Sequence, residues 1–193
     1  MHSQVFQRAE NGDSQAQAEL FRQHYPVTYR LAYSLLHHHE DAEEVAQDAL
    51  AYALTNLAQY NPLRGAFTTW LYTITVSRCR NKRRRRQLAE VPLFGWLMGE
   101  TKAPGAPDNP QEALLEQAET RAALHAAIRQ LPQKQQEAII LRYFHELNYA
   151  EIGAIVGCSA QTAQSRVWLG QKRLSGLLSA SDLMWVANSK EAR

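Results

Sequence analysis

The stretch Phe67–Arg86, FTTWLYTITVSRCRNKRRRR, decides how this chain is read. It opens on aromatic and β-branched residues and closes on cations: seven of the nine residues from Arg78 to Arg86 are Lys or Arg, broken by Cys79 and Asn81. Its Thr, Ile and Val favour a strand locally. Yet Phe67, Trp70, Leu71, Ile74 and the stem of Arg78 fall at i, i+3, i+4, i+7 and i+11, so the segment is read as a helix whose packing overrides that propensity. The cations cannot be buried together, because each desolvated charge would need its own partner. They face water or a polyanion, and Trp70 and Tyr72 supply rings on which bases could stack. A solvated basic tether is the plainer alternative.

Charge is segregated along the chain. Residues 1–77 hold four Lys/Arg against eight Asp/Glu, net −4, and residues 78–86 are +7. Residues 87–141 hold four against seven, net −3, and residues 142–193 six against four, net +2. An acidic front, a basic knot and a mildly basic end imply at least two different partners. The two cysteines, Cys79 and Cys158, have no Cys or His neighbour at metal-ligand spacing and read as reduced thiols. No apolar run reaches the ~18 residues of a membrane span, and the first residues lack the apolar core of a signal peptide. The expectation is a soluble, cytoplasmic protein without membrane insertion.

Outward from the basic stretch, the periodicity is helical almost throughout. Asp13 or Ser14 can cap a helix carrying Ala18, Leu20, Phe21 and Tyr25, with a break expected at Pro26 before Val27, Leu31 and Leu35. His37–His39 read as a polar turn rather than a metal site, because sequence neighbours do not converge from one helix face. Asp41–Leu57 is the cleanest amphipathic segment, with Ala42, Val45, Ala46, Ala49, Leu50, Ala53, Leu54 and Leu57 on one stripe. Its other side holds Glu43, Glu44, Gln47 and Asp48, and Glu40–Asp48 contains five acids and no cation. Such a face can dock a basic partner, or it can simply be solvated. Ala58–Ala66 is a loop marked by Asn-Pro and Arg-Gly.

Beyond Arg86, an apolar knot around Val91–Met98 runs into Thr101–Pro110, which has three prolines and one glycine and reads as linker. Gln111–Leu131 is helical, and Pro132 opens the next helix, Gln133–Phe144, with Ala138, Ile139, Leu141 and Tyr143 toward a core. Asn148 and Glu151 have capping-box spacing, Gly157 supplies a turn, and Ser159 caps a helix Ala160–Leu178. Ala163, Val167, Gly170 and Leu174 face inward, leaving Gln161, Gln164, Ser165, Arg166 and Trp168 outside. This is the plan of a helix-turn-helix, whose second helix enters a major groove and reads bases with Gln and Arg. An ordinary helical hairpin is the plainer alternative.

Two segments resemble one family, the bacterial extracytoplasmic-function sigma factors. RAENGDSQAQAELF, YPVTYRLAYSLL, DAEEVAQDAL and FTTWLYTITVSRCRNKRRRR resemble its region 2, and LPQKQQEAIILRYFHELNYAEIGAIVGCSAQTAQSRV resembles its region 4. The resemblance implies an all-α protein of two small helical domains: region 2 over residues 1–87, a flexible linker at 88–111, region 4 at 112–178 and a tail at 179–193. It implies a promoter-specificity subunit of RNA polymerase, not an enzyme, with no catalytic residue, cofactor or metal.

By the same resemblance Asp41, Glu43, Glu44, Gln47 and Asp48 dock on the clamp helices of core RNA polymerase. Tyr60, Asn61 and Arg64 belong to the loop that captures an unstacked base of the −10 element. Trp70, Tyr72, Thr73, Ser77, Arg78, Arg80, Asn81 and Lys82 lie along the adjoining −10 helix, and Arg83, Arg84, Arg85 and Arg86 hold phosphates. Ser159, Gln161, Thr162, Gln164, Ser165, Arg166, Trp168, Lys172 and Arg173 belong to the −35 recognition helix. Promoter DNA and an anti-sigma factor are the other implied partners.

The chain departs from the family pattern in places. Ser77 stands where Asn is usual, Arg80 and Arg83 replace apolar side chains, and Ala163-Gln164 replaces Val-Lys. The Val91–Met98 knot and the tail with Leu183, Met184, Trp185 and Val186 are additions, one of which is expected to pack on a helical domain or an anti-sigma partner. The alternative is a stand-alone helix-turn-helix regulator with an N-terminal sensing or dimerisation domain. No P-loop, dinucleotide fingerprint, HExxH or GxSxG pattern supports an enzyme.

Overall fold

The structure, a computed structural model, describes residues 2–89 and 122–178, and every described element is helical. Helices α1 (His2–Glu10), α2 (Ser14–Leu36), α3 (His39–Thr55) and α4 (Phe67–Ala89) form a first unit. The second consists of α5, helical over 122–129, α6 (Gln133–Tyr143), α7 (Tyr149–Val156) and α8 (Ala160–Leu177). The Val91–Met98 knot, the 101–110 linker, most of the helix expected over Gln111–Leu131 and the tail lie outside the described residues.

Local chemistry sets the boundaries. The Asp13 carboxylate accepts from Gln15 N and Ala16 N and caps α2. Those amide bonds, Ala16's first, and the guanidinium of Arg8 hold its pKa below the usual carboxylate value. The break expected at Pro26 does not occur: α2 runs through it, because Pro26 is on the exposed side, where water can take the carbonyl that its missing N–H leaves unpaired. His37, at φ 53°, ends α2, and the His38 ring caps α3 by accepting from Asp41 N. In the second unit the Asn148–Glu151 capping box forms as its spacing predicts. Gly157 takes φ 77° in the turn before α8. Gly170 has a different reason to be small, since a Cβ there would meet Ile139 Cγ1 at 2.7 Å, so α6 and α8 approach too closely for a side chain.

The buried stripe of α4 is rotated from the expected one. Phe67, Leu71, Tyr72, Thr75, Val76 and Cys79 are buried, whereas Trp70 and Ile74 are half-buried at its margin. The reason is that α4 is covered from two sides. One apolar cluster joins Ala16, Leu20, Leu50, Phe67 and Leu71 inside the first unit. The other is shared between units, running from Leu31, Leu35, Val45, Val76 and Cys79 to Ile128, Ile140, Leu141, Ile152 and Val167. The two units therefore pack directly on one another, through α4 against α7 and α2 against α6.

Candidate nucleic-acid interface

Helix α4 distributes its side chains over separate faces, and that division organises the site. At 100° per residue, Trp70, Thr73, Ser77, Asn81 and Arg84 share one face. Trp70 and Thr73 are half-buried and the other three exposed. Arg78, Lys82 and Arg86, spaced by four, turn toward α3. Tyr72, Val76, Cys79, Arg80 and Arg83 turn toward the second unit.

The open face begins at an aromatic box. Tyr60 lies 5.7 Å from Trp70 and 5.4 Å, edge-on, from Phe67, measured between ring centroids. Its hydroxyl donates to Gly65 O, and Asn61 accepts from Leu63 N, so the loop folds back on itself. Leu63 at its tip is 94% exposed. Arg64 is exposed beside it. This pairs a ring stack with a short, preformed loop, which suits a flipped base better than a duplex.

On the α3 side, the segregation of charge seen along the sequence is partly cancelled in space. Lys82 Nζ is 2.5 Å from Glu44 Oε2 and 3.5 Å from Asp41 Oδ1. Arg86 reaches Asp41 Oδ2 at 2.8 Å, and Arg78 reaches Asp48 Oδ2 at 3.5 Å while lying over the Tyr52 ring. The hydrogen bond that Lys82 donates to Glu44 raises the lysine's pKa above its ordinary value. Glu44, Gln47 and Asp48 stay exposed, and Glu43 is half-buried beside His39. Asp41 differs: it is 6% exposed and reads as an anchor of α3 to α4, not as part of an open acidic face.

The third face makes contacts that the sequence reading missed. Arg80 grips the buried carboxylate of Glu137 on α6 in a bidentate pair, Nε to Oε1 at 3.0 Å and Nη2 to Oε2 at 2.6 Å. Arg83 donates to Gln136 Oε1 at 2.8 Å and to the Leu35 carbonyl. Gln136 in turn meets His37, and the Tyr72 hydroxyl meets His145 at 3.2 Å. Tyr72 is 6% exposed, so it does not join the Trp70–Ser77 face on which it was expected. Burial lowers the pKa of both His37 and His145 to about 4, helped by Arg129 beside the first and Arg30 beside the second. One signal could have exposed this contact: Gln136 and Glu137 precede Ile140 and Leu141 by four residues, which puts two polar groups on a core stripe. Among the described residues, Arg84 and Arg85 are the cations of the 78–86 run without an ion pair or hydrogen bond.

The second unit presents its own open face. Gln161, Gln164, Ser165, Trp168 and Lys172 are exposed at helical spacing on α8, with Thr162 and Arg173 on its flanks and Arg166 half-buried. Lys172 Nζ lies 5.5 Å from the Trp168 ring. Ser159 spends its hydroxyl on capping, accepting from Thr162 N at 3.1 Å. Helix α8 holds three cations and no acid, so its surface is suited to phosphate approach.

Residues 20–89 match the family model for Sigma-70 region 2, and residues 121–174 match that for Sigma-70, region 4. The ECF RNA polymerase sigma factor EcfG of Rhodopseudomonas palustris (strain TIE-1) is 34% identical over 154 residues, covering 79% of this chain and 80% of the relative. The chain belongs to the ECF sigma factors. SigE of Mycolicibacterium smegmatis is 31% identical over 160 residues, 83% of this chain, and the chain spans 60% of that relative's length. Among solved structures, the sigma factor RpoE of Bartonella quintana, in complex with the anti-sigma factor NepR, aligns at TM-score 0.66 and 26% identity, covering 84% of this chain and 96% of that one. Both sigma regions occur in the family's order, which does not favour the stand-alone regulator. Among the described residues no helix is long and apolar enough to cross a membrane.

Proposed function

We propose that this sigma factor binds core RNA polymerase through the exposed part of α3, and reads promoters with two separated surfaces. Glu43, Glu44, Gln47 and Asp48 dock on basic helices of the polymerase clamp, with Asp41 holding α3 in place beneath them. Tyr60, Asn61 and Arg64 capture a base of the −10 element as the strands open. Trp70, Thr73, Ser77 and Asn81 carry the exposed strand along α4 toward Arg84 and Arg85. Gln161, Gln164, Ser165, Arg166, Trp168 and Lys172 enter the −35 major groove. Region 2 spans residues 1–87 and region 4 residues 112–178, with 88–111 as linker and 179–193 as tail. The chain works in the cytoplasm as a non-catalytic initiation factor under an anti-sigma partner.

The observation that carries this reading is the open face of α4, which runs from the Tyr60–Phe67–Trp70 ring cluster to the exposed Arg84 and Arg85. A helix built to rest on water has no use for rings and amide groups in that order. The test is transcription by core polymerase plus this chain on genomic DNA, with the RNA starts sequenced. Starts preceded by paired −35 and −10 elements are expected. Glu44→Lys with Asp48→Lys should abolish both the starts and polymerase binding. Starts no different from those of core polymerase alone would end the proposal.

A further inference from the structure

In the closed arrangement two of the cations assigned to DNA are already occupied. Arg80 holds Glu137, and Arg83 holds Gln136 and the Leu35 carbonyl. The Val156 carbonyl, at the end of α7, also accepts from Arg80, at 3.4 Å. Region 4 thus sits against the inner edge of the −10 helix and covers Tyr72 as well, through His145. Cations at an interface that opens and closes differ from apolar residues there, because both states can satisfy them.

We propose that Arg80–Glu137 and Arg83–Gln136 form an intramolecular latch, which keeps region 4 over the inner edge of α4 in the free chain and yields to promoter phosphates. The inference rests on the sigma-factor reading of α4. Its chemistry is an exchange of anions. A guanidinium binds carboxylate and phosphate through the same planar pair of N–H groups, so DNA can replace Glu137 without rebuilding Arg80. An ion pair in such a contact adds modest net stability, since desolvation offsets much of the attraction. Its two halves are also well solvated when apart. That combination suits a reversible contact between units joined in sequence through residues 90–121.

The experiment uses the full chain and a Glu137→Gln/Gln136→Ala variant, neither position being assigned to DNA or polymerase. Small-angle X-ray scattering measures compactness, circular dichroism verifies the helices, and fluorescence anisotropy measures affinity for a labelled single-stranded oligonucleotide. The variant is expected to keep its helicity, expand, and bind the oligonucleotide about tenfold more tightly. Arg80→Glu combined with Glu137→Arg should be compact again, although each change alone expands the chain. A variant that stays compact overturns the latch, even if its affinity rises from the added charge alone. A variant that expands without gaining affinity overturns the masking role. Whether the wild-type chain programmes core polymerase is read separately, so failure of the sigma-factor reading is not confused with failure of the latch.

Discussion

Arg86 Nη2 stands 2.8 Å from Asp41 Oδ2, joining the basic end of α4 to the acidic start of α3. Lys82 approaches the other oxygen of the same carboxylate at 3.5 Å, and Asp41 is 6% exposed, so two cations from one helix converge on one buried acid of another. Removing that acid leaves Arg86 without its counter-charge and Lys82 with Glu44 alone. Asp41→Ala is expected to destabilise the chain by about 1–2 kcal/mol, the scale of a broken ion pair with partly solvated partners. Asp48→Ala should stay within about 0.5 kcal/mol, as exposed pairs do. Thermal unfolding followed by circular dichroism separates the two; equal shifts would mean that Asp41 is no anchor.

On the proposed assignment, the remaining pairs make the polymerase face and the DNA face competitors for the same charges. Glu44 holds Lys82, and Asp48 holds Arg78. A basic polymerase surface that takes Glu44 and Asp48 would release Lys82 and Arg78 to DNA, so each partner should assist the other. Glu44→Gln with Asp48→Asn should mimic the first half of that exchange. Oligonucleotide affinity of the free chain is expected to rise about two- to fivefold, with a steeper response to salt because two more cations can meet phosphates, while polymerase binding falls. Anisotropy titrations at two salt concentrations check this. Unchanged affinity would show that the pairs do not compete with DNA.

Much of this architecture was legible from residue spacing alone. The Ala42–Ala53 stripe, the Asn148–Glu151 box and the Gly157 turn depend on chemistry within one turn of helix, and they formed as read. Residues that act across the fold were not legible. Trp70 and Ile74 were read onto the buried stripe and Tyr72 onto the open face, and the second unit, packing on a second side of α4, decided otherwise. For the same reason Arg80 and Arg83 looked like members of one solvated run. Nothing in the 78–86 run itself announces its partners; the one hint lies far along the chain, in the polar Gln136 and Glu137 on the stripe of Ile140 and Leu141. Segregated charge misled in a simpler way, since acids at 41–48 and cations at 78–86 are distant in sequence and adjacent in space.

The closed arrangement should respond to acid. His37 lies among Arg83, Arg129, His125 and Gln136, and His145 faces Arg30 and Tyr72; burial, first, and these cations lower both pKa values from 6.5 to about 4. A histidine with a lowered pKa stabilises the state that buries it above about pH 6.5, and that contribution is lost as pH falls toward 4. Scattering from the free chain should therefore show expansion between pH 7 and pH 5, before the helices melt. Replacing both histidines by Asn should flatten that dependence. A wild-type chain equally compact at both pH values would contradict the assignment.

The two thiols give an independent reading of the same opening. Cys79 is 2% exposed within the cluster that spans both units, and burial pushes its pKa up to about 12. Cys158 is half-buried in the turn before α8. The thiolate is the reactive form, so a group both covered and held protonated should react far more slowly. With a disulfide reagent such as DTNB at pH 8, one thiol per chain should react quickly and the second at least ten times more slowly. Mass spectrometry after brief labelling should find the modification on Cys158. In Glu137→Gln/Gln136→Ala the slow phase should accelerate severalfold while the fast one is unchanged, because separating the units uncovers one side of Cys79. Equal rates for both thiols in the wild-type chain would mean that region 4 does not cover this part of α4 in solution.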